Sequence, residues 1–249
     1  MNIKATKIVT ILCISQIIFM MSSCSLFTPK YKNLKTENDI HTKEELLNAT
    51  LRIEMTITKK IPFIGETIST NYGSGVIFYE DSKRYYALTN NHVIFKMNGF
   101  DNPKYAVVDS KGKERKAKVE KTASSYDLAV VSFEKDDYKY NVVHIEETNP
   151  SIGTYVSAID QNFTITSGFI NKYEPAQELG GTINAQTNVK FDVISASTYT
   201  HPGSSGGILY NNDFNLVGIV YAACSYSTGE FICSYSIPCE KVLTFLKNA

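Results

Sequence analysis

His201-Pro202-Gly203-Ser204-Ser205-Gly206-Gly207 is the stretch on which the reading of this chain turns. A serine enclosed by glycines can sit on a backbone turn too sharp for other residues, with adjacent N–H groups aimed at one point. Alone, such a loop is usually only a turn. Two earlier segments give it another meaning. Thr89-Asn90-Asn91-His92-Val93 closes the apolar run Tyr86-Ala87-Leu88 with a histidine. Tyr126-Asp127-Leu128-Ala129-Val130-Val131 opens a second apolar run with an aspartate 35 residues after that histidine. A carboxylate entering an apolar run needs a buried partner, and a histidine donor is the natural one. A serine hydroxyl is a poor nucleophile until an imidazole takes its proton, and the imidazole needs an acid to fix its tautomer and stabilise its cation. The three segments nominate Ser205 as nucleophile, His92 as general base and Asp127 as the acid that orients it.

The surrounding sequence has strand character. Short runs with regular turn signals cover Thr50 to Ile57, Gly75 to Tyr79, Arg84 to Thr89, Tyr105 to Asp109, Arg115 to Glu120 and Asp127 to Phe133. A second series covers Tyr155 to Ile159, Thr166 to Lys172, Val189 to Ile194, Gly207 to Tyr210, Leu216 to Tyr221 and Phe231 to Ile237. Such spacing predicts all-β barrels or sandwiches. Helical patterning is confined to a short start at Thr42-Lys43-Glu44-Glu45-Leu46-Leu47, where a cap residue precedes acidic residues, and to Pro238–Lys247, with Val242, Leu243, Phe245 and Leu246 on one face.

The chain order His, Asp, Ser is that of the two-barrel chymotrypsin-like enzymes, not of subtilisin or the α/β-hydrolases. Further landmarks fall in sequence: Gly73-Ser74-Gly75-Val76-Ile77, Glu114-Arg115-Lys116-Ala117-Lys118-Val119, Ile152-Gly153 and Thr166-Ser167-Gly168-Phe169-Ile170. This succession resembles the protease domain of HtrA/DegP-type trypsin-like serine peptidases from about residue 50 to residue 245. The resemblance implies two six-stranded antiparallel β-barrels of the chymotrypsin type, at about 50–140 and 141–237, with a short C-terminal helix and the catalytic cleft between the barrels. It implies a peptide or protein substrate, no cofactor and no metal. With the glycine geometry, it also assigns the oxyanion donors to the backbone N–H groups of Gly203 and Ser205. Ser204 stands where relatives often carry Asn or Asp, but that position is a backbone spacer. Relatives of this type usually add a peptide-binding PDZ module, for which this chain is expected to have no room.

The same resemblance places the substrate pocket at Thr200, just before the nucleophile, at Tyr221-Ala222-Ala223, and near Cys233-Ser234-Tyr235. No Asp or Glu lies between Ser195 and Ser204, so a trypsin-like preference for Lys or Arg is disfavoured. Glutamyl-specific relatives place a histidine after Gly-Ile, where this chain has Val220 after Gly218-Ile219; Thr200 alone keeps that option open. The expectation is a small or medium aliphatic side chain. His144 and His201 read as structural or solvated.

Lys4 and Lys7, the apolar stretch Ile8–Met21 and then Met21-Ser22-Ser23-Cys24 form an export signal, too short for a confident membrane span. The last four residues resemble a bacterial lipobox. That resemblance implies lipidation of Cys24, a palmitate-bearing N-terminus and a location in the cell envelope outside the cytoplasm; an ordinary signal peptide is the alternative. Residues 25–45 are polar and read as a flexible tether, with the peptidase domain at 46–249. Cys224 and Cys233 flank a turn and would either pair as a disulfide or lie as small buried residues; with Cys239 the number is odd. No cysteine has metal-ligand spacing.

Lys plus Arg and Asp plus Glu balance at 25 each, which gives no global field toward nucleic acid. The basic stretch Lys111–Lys118 alternates around Gly112 and is diluted by Glu114, as a solvated hairpin would be. A catalytically silent surface lipoprotein using the same barrels to bind proteins is the rival, and it would be marked by loss of a triad residue or of the glycine loop. Neither is lost.

Overall fold

Leu51, Ile53, Met55 and Ile57 occupy every second position, so an extended chain puts all four on one face. In a computed structural model of the protein, which describes residues 31, 34, 39–61, 65–95, 100–176 and 187–248, each of them is buried. They line the inner face of strand β1 (Thr50–Ile61), which pairs with β2 (Gly65–Glu80) on one side and with β4 (Asp101–Asp109) on the other. With β3 (Arg84–Thr89), β5 (Glu114–Ala123) and β6 (Leu128–Glu134), these strands close a barrel in the order β1-β2-β3-β6-β5-β4. Closure leaves no unpaired sheet edge.

A second antiparallel barrel closes in the order β10-β11-β12-β9-β8-β7. Its strands are β7 (Tyr155–Ile159), β8 (Ile165–Pro175), β9 (Asp192–Ala196), β10 (Ile208–Tyr210), β11 (Leu216–Ser225) and β12 (Phe231–Pro238). Among the described residues, three short helices accompany the barrels: α1 (Lys43–Leu47), α2 (Asn91–Ile94) and α3 (Cys239–Lys247). A capping box opens α1, the Thr42 side chain accepting from Glu45 N–H while the Glu45 carboxylate accepts from the Thr42 backbone. The α3 helix buries Val242, Phe245 and Leu246, and none of the described helices is long and apolar enough to cross a membrane.

The all-β, double-barrel expectation with a C-terminal helix is met, with two local corrections. Val189 is buried as expected, yet β9 starts only at Asp192; the apolar character of Val189 serves core packing, not a ladder. Strand β11 runs past Tyr221 to Ser225, because a bulge between Val220 and Ala222 lets the β11–β12 hairpin continue beyond the barrel. In that extension Cys224 lies opposite Cys233, and both carry free thiols. Burial pushes the third thiol, Cys239, up to about 12, so it stays protonated and unreactive. The basic hairpin of β4 and β5 is partly paired with acidic residues: Arg115 meets Asp109 at 3.1 Å and Lys113 meets Asp136, beyond β6, at 2.7 Å.

The stretch expected to be a tether, 25–45, is described at residues 31, 34 and 39–45. Its described residues include Tyr31 and Ile40, which are 5% and 2% exposed and belong to the main core. Tyr31 meets Phe78, Tyr79 and Tyr86 edge-on, with ring centroids 5.2, 5.5 and 5.7 Å away. A polar composition hid two apolar anchors that the barrel wall can bury. Cys24 and the rest of the N-terminal segment lie outside the described residues.

Ile40→Ala is therefore expected to lower the stability of the folded protein by about 2–4 kcal/mol, as deletion of a buried aliphatic side chain does. Urea unfolding monitored by circular dichroism should show a lower midpoint with an unchanged slope; a midpoint equal to wild type would mean that the segment is a tether after all.

Candidate active site

Strand β3 ends at Thr89 and the chain turns into α2, which begins at Asn91 and carries His92. Asp127 sits in the turn just before β6 with φ of 49°, a left-handed backbone that aspartate tolerates better than most residues. The Asn90 side chain secures this turn by donating Nδ2–H to the Asp127 carbonyl at 2.8 Å. The Asp127 carboxylate is fully buried and makes two bonds to one residue. Oδ1 accepts the His92 backbone N–H at 3.0 Å, and Oδ2 accepts from His92 Nδ1 at 2.7 Å. An acceptor at Nδ1 fixes the ring with its Nε2 free of that bond, and the His92 side chain is a quarter exposed. Histidine and aspartate thus come together as the sequence implies.

Ser205 reaches this region from the other barrel. Its carbonyl accepts the Ser74 N–H of β2 at 2.8 Å, and the Ser74 hydroxyl donates to the Gly203 carbonyl at 2.8 Å. The loop can lie so close only because residue 206 is glycine. With φ of +87°, a Cβ there would stand 2.1 Å from the Ser74 carbonyl oxygen and 2.4 Å from Thr89 Oγ1. Gly73 in turn leaves room for Val93, the neighbour of His92. These contacts bring the Ser205 backbone beside the strand ends that carry His92. The Ser205 hydroxyl lies 3.5 Å from the Tyr221 carbonyl, and no hydrogen bond to His92 is among the described contacts. Long or unformed bonds between nucleophile and base are common before a substrate binds.

The loop's backbone donors divide into two groups. Ser204 N–H donates to the His201 carbonyl at 2.9 Å, Gly206 N–H to Val220 at 2.8 Å and Gly207 N–H to Ser204 at 2.9 Å. Among the described hydrogen bonds, the N–H groups of Gly203 and Ser205 donate to no protein acceptor. Gly203 has φ of +98°, and a Cβ on it would collide with the Gln161 carboxamide at 2.1 Å, so only glycine fits.

Beside Ser205 lies a cleft of about 490 Å³. Thr200, Ala222 and Ala223 line it, as expected, together with Tyr199, Val220 and Phe231. No Asp, Glu, Lys or Arg is among the lining residues. Tyr221 does not line the cleft, which corrects its assignment to the pocket. It falls at the β11 bulge, where the side-chain alternation shifts, and packs against the main core. Burial first, and then the charge of Asp127, push its phenol up.

Sequence reasoning missed Asp160 and Gln161 and set His201 aside as structural or solvated. In the structure His201 borders the cleft and its Nε2 stands 2.7 Å from the carboxylate of Asp160, in the turn that joins β7 to β8. The only signal was an aspartate directly after the apolar run Val156-Ser157-Ala158-Ile159, the same pattern that singled out Asp127 from the opposite end of a strand.

Comparison with known proteins places the chain among trypsin-like peptidases. The family model of the trypsin-like peptidase domain matches residues 73–219. "Probable periplasmic serine protease do/HhoA-like" of Haemophilus influenzae is 31% identical over 180 residues, 71% of this chain and 36% of that protein. "Serine protease Do-like HtrA" of Bacillus subtilis is 31% identical over 184 residues, 71% of this chain and 39% of that protein. The chain thus spans less than two fifths of the length of these curated relatives. The solved structure "HtrA-type protease AlgWS227A with decapeptide" superimposes with a TM-score of 0.63 and 25% identity, over 80% of this chain and 63% of that one.

Proposed function

This chain belongs to the trypsin-like peptidase family, and from that premise we propose that it is an exported serine endopeptidase acting through Ser205, His92 and Asp127. The observation that carries the reading is the doubly bonded Asp127–His92 pair standing beside a loop whose Gly203 and Ser205 N–H groups meet no protein acceptor among the described residues. Unpaired donors separated by one residue are costly in a folded chain unless a ligand or water meets them. A carbonyl oxygen that gains negative charge is such a ligand.

In the proposed reaction, Ser205 Oγ attacks the scissile carbonyl as His92 Nε2 takes its proton. Asp127 stabilises the imidazolium from the far side of the ring. The oxygen of the tetrahedral intermediate is met by the two N–H groups. His92 then gives its proton to the leaving amine, and an acyl-enzyme on Ser205 remains. Water resolves this ester with His92 again as base. The chain's own residues supply every group these steps use.

The cleft supports an aliphatic residue on the acyl side of the cut bond. Ala222 and Ala223 leave space, and a Lys or Arg head would lose its water without meeting a carboxylate. An aliphatic side chain gains about 1–3 kcal/mol on burial there. The sequence around Cys24 supports attachment to the outer face of a membrane through lipid.

A fluorophosphonate should label the purified protein at Ser205 and leave Ser205→Ala unlabelled. Ser205→Ala and His92→Ala are each expected to lower kcat by roughly 10³-fold or more, and the double variant should lose little beyond either, because the residues act as a unit. Multiplicative losses in steady-state peptide hydrolysis would sink the assignment.

Profiling with a peptide library should show cleavage after Val, Ala, Ile or Leu exceeding cleavage after Lys, Arg or Phe by roughly tenfold in kcat/KM, the equivalent of about 1.4 kcal/mol. Dominant cleavage after Glu would refute this pocket reading.

For the anchor, wild-type protein should partition into a detergent phase, while Cys24→Ala stays aqueous. Mass spectrometry that finds an unmodified mature N-terminus would reject lipidation.

A further inference from the structure

The Asp160–His201 pair lies outside the nucleophile, base and acid, yet it touches the peptide that carries one of the two proposed oxyanion donors. Asp160 is 7% exposed at the end of β7. Its Oδ1 is saturated by the N–H groups of Asn162 at 2.8 Å and Thr164 at 2.9 Å. Its Oδ2 faces His201 Nε2 at 2.7 Å. The other ring nitrogen, Nδ1, lies 3.0 Å from the Pro202 carbonyl oxygen. A carbonyl accepts and cannot donate, and so does an ionised carboxylate. Neutral imidazole has one N–H and can satisfy only one of them. Both contacts are hydrogen bonds only when both nitrogens carry protons, so the imidazolium is the form that satisfies both acceptors. The His201 backbone is pinned as well, its N–H donating to Ser204 Oγ at 3.1 Å.

The Pro202 carbonyl and the Gly203 N–H are the two ends of one trans peptide and point in opposite directions. A bond that holds the carbonyl toward His201 therefore holds the N–H away from it. With that carbonyl released, rotation of the peptide at Gly203, which has no Cβ to resist it, would exchange a donor for an acceptor at the oxyanion position. The turn that carries Asp160 also lays the Gln161 carboxamide where a Cβ of residue 203 would stand. We infer that His201, held as a cation by Asp160, is a positioning residue that locks the Pro202–Gly203 peptide with its N–H available to the oxyanion. This rests on the serine endopeptidase reading above and adds to it a residue pair and a pH dependence. The titratable groups recorded against His201 are Asp160 and, on its own loop, Tyr199, whose ring centroid lies 6.3 Å from the imidazole. The lock exists while His201 holds both protons. It is lost as pH rises and one proton leaves.

The test combines a spectrum with kinetics. Long-range proton–nitrogen correlation spectra of the ¹⁵N-histidine protein should show both His201 ring nitrogens protonated at neutral pH, the resonance being assigned with His201→Gln. A neutral tautomer would overturn the inference whether or not the protein turns over peptide. In hydrolysis assays Asp160→Asn should lower kcat by about 10²-fold, the scale of losing one oxyanion donor, with KM within about twofold of wild type. It should also move the alkaline fall of kcat to lower pH. His201→Arg keeps a cation that does not titrate, and should retain more activity than His201→Gln and abolish that alkaline fall. An Asp160→Asn enzyme with wild-type kcat and an unmoved alkaline limb would refute the lock. Wild-type protein that fails to react with fluorophosphonate at Ser205 would instead reject the peptidase reading, leaving the spectrum as the judge of His201.

Discussion

The contact between strand β2 and the nucleophile loop is the constraint on which the site depends. Ser74 offers its N–H to the Ser205 carbonyl and its hydroxyl to the Gly203 carbonyl, while its own carbonyl lies where a Cβ of residue 206 would have to stand. One residue of the first barrel thus holds three positions of a loop from the second. Each barrel satisfies its own backbone by closing. A site shared between them therefore needs specific hydrogen bonds across the seam. Within the first barrel, Thr89 donates its hydroxyl to the same Ser74 carbonyl at 2.7 Å, immediately before the turn that presents His92.

Further links hold the two barrels in register. The segment that joins them runs along both: Val143 N–H donates to Ile77 of β2 at 2.9 Å, and Leu216 N–H of β11 donates to His144 at 2.8 Å. The main hydrophobic cluster draws on both, with Val76, Leu88 and Val130 from the first and Ile159, Ile208 and Ile219 from the second. Tyr31 and Ile40 extend that cluster outward, so the segment preceding the first barrel contributes to the core and does not merely lead into it. Rigidity at the seam matters because positioned donors act on a developing charge only if they need not reorganise during the reaction.

Two His–Asp pairs then flank the nucleophile loop from opposite barrels, and their chemistry differs because their second partners differ. In the His92–Asp127 pair one ring nitrogen meets the carboxylate and the other meets no described acceptor. Such a histidine can exchange a proton. In the His201–Asp160 pair the carboxylate and a carbonyl occupy both nitrogens. That histidine is a fixed donor. On the proposed reading, the same two residue types serve as a base in one setting and a clamp in the other, and the third group makes the difference.

Periodicity made the barrels legible before any coordinates, since period-two burial in β1 and glycine-marked turns are local properties of the chain. The type of site was legible for a related reason: His92, Asp127 and Ser205 each interrupt an apolar run or a glycine turn, where a polar residue demands a partner. Thr200, Ala222 and Ala223, expected from the family resemblance, line the cleft beside Ser205. Tyr221 does not, because a one-residue bulge in β11 reverses which face a side chain takes, and nothing in a run of apolar letters marks where a ladder slips. The burial of Tyr31 and Ile40 depended on a barrel wall remote in sequence. Asp160 and His201 stand 41 positions apart, and neither has a local signature of the other. Sequence alone determined strand character, the all-β class and the residue types available for chemistry, because these rest on neighbours along the chain, while the number of barrels came from the family resemblance. Tertiary structure decided which polar groups share a proton, which N–H groups stay unpaired and which side chains face the cleft, because each depends on atoms brought together only when both barrels close and dock.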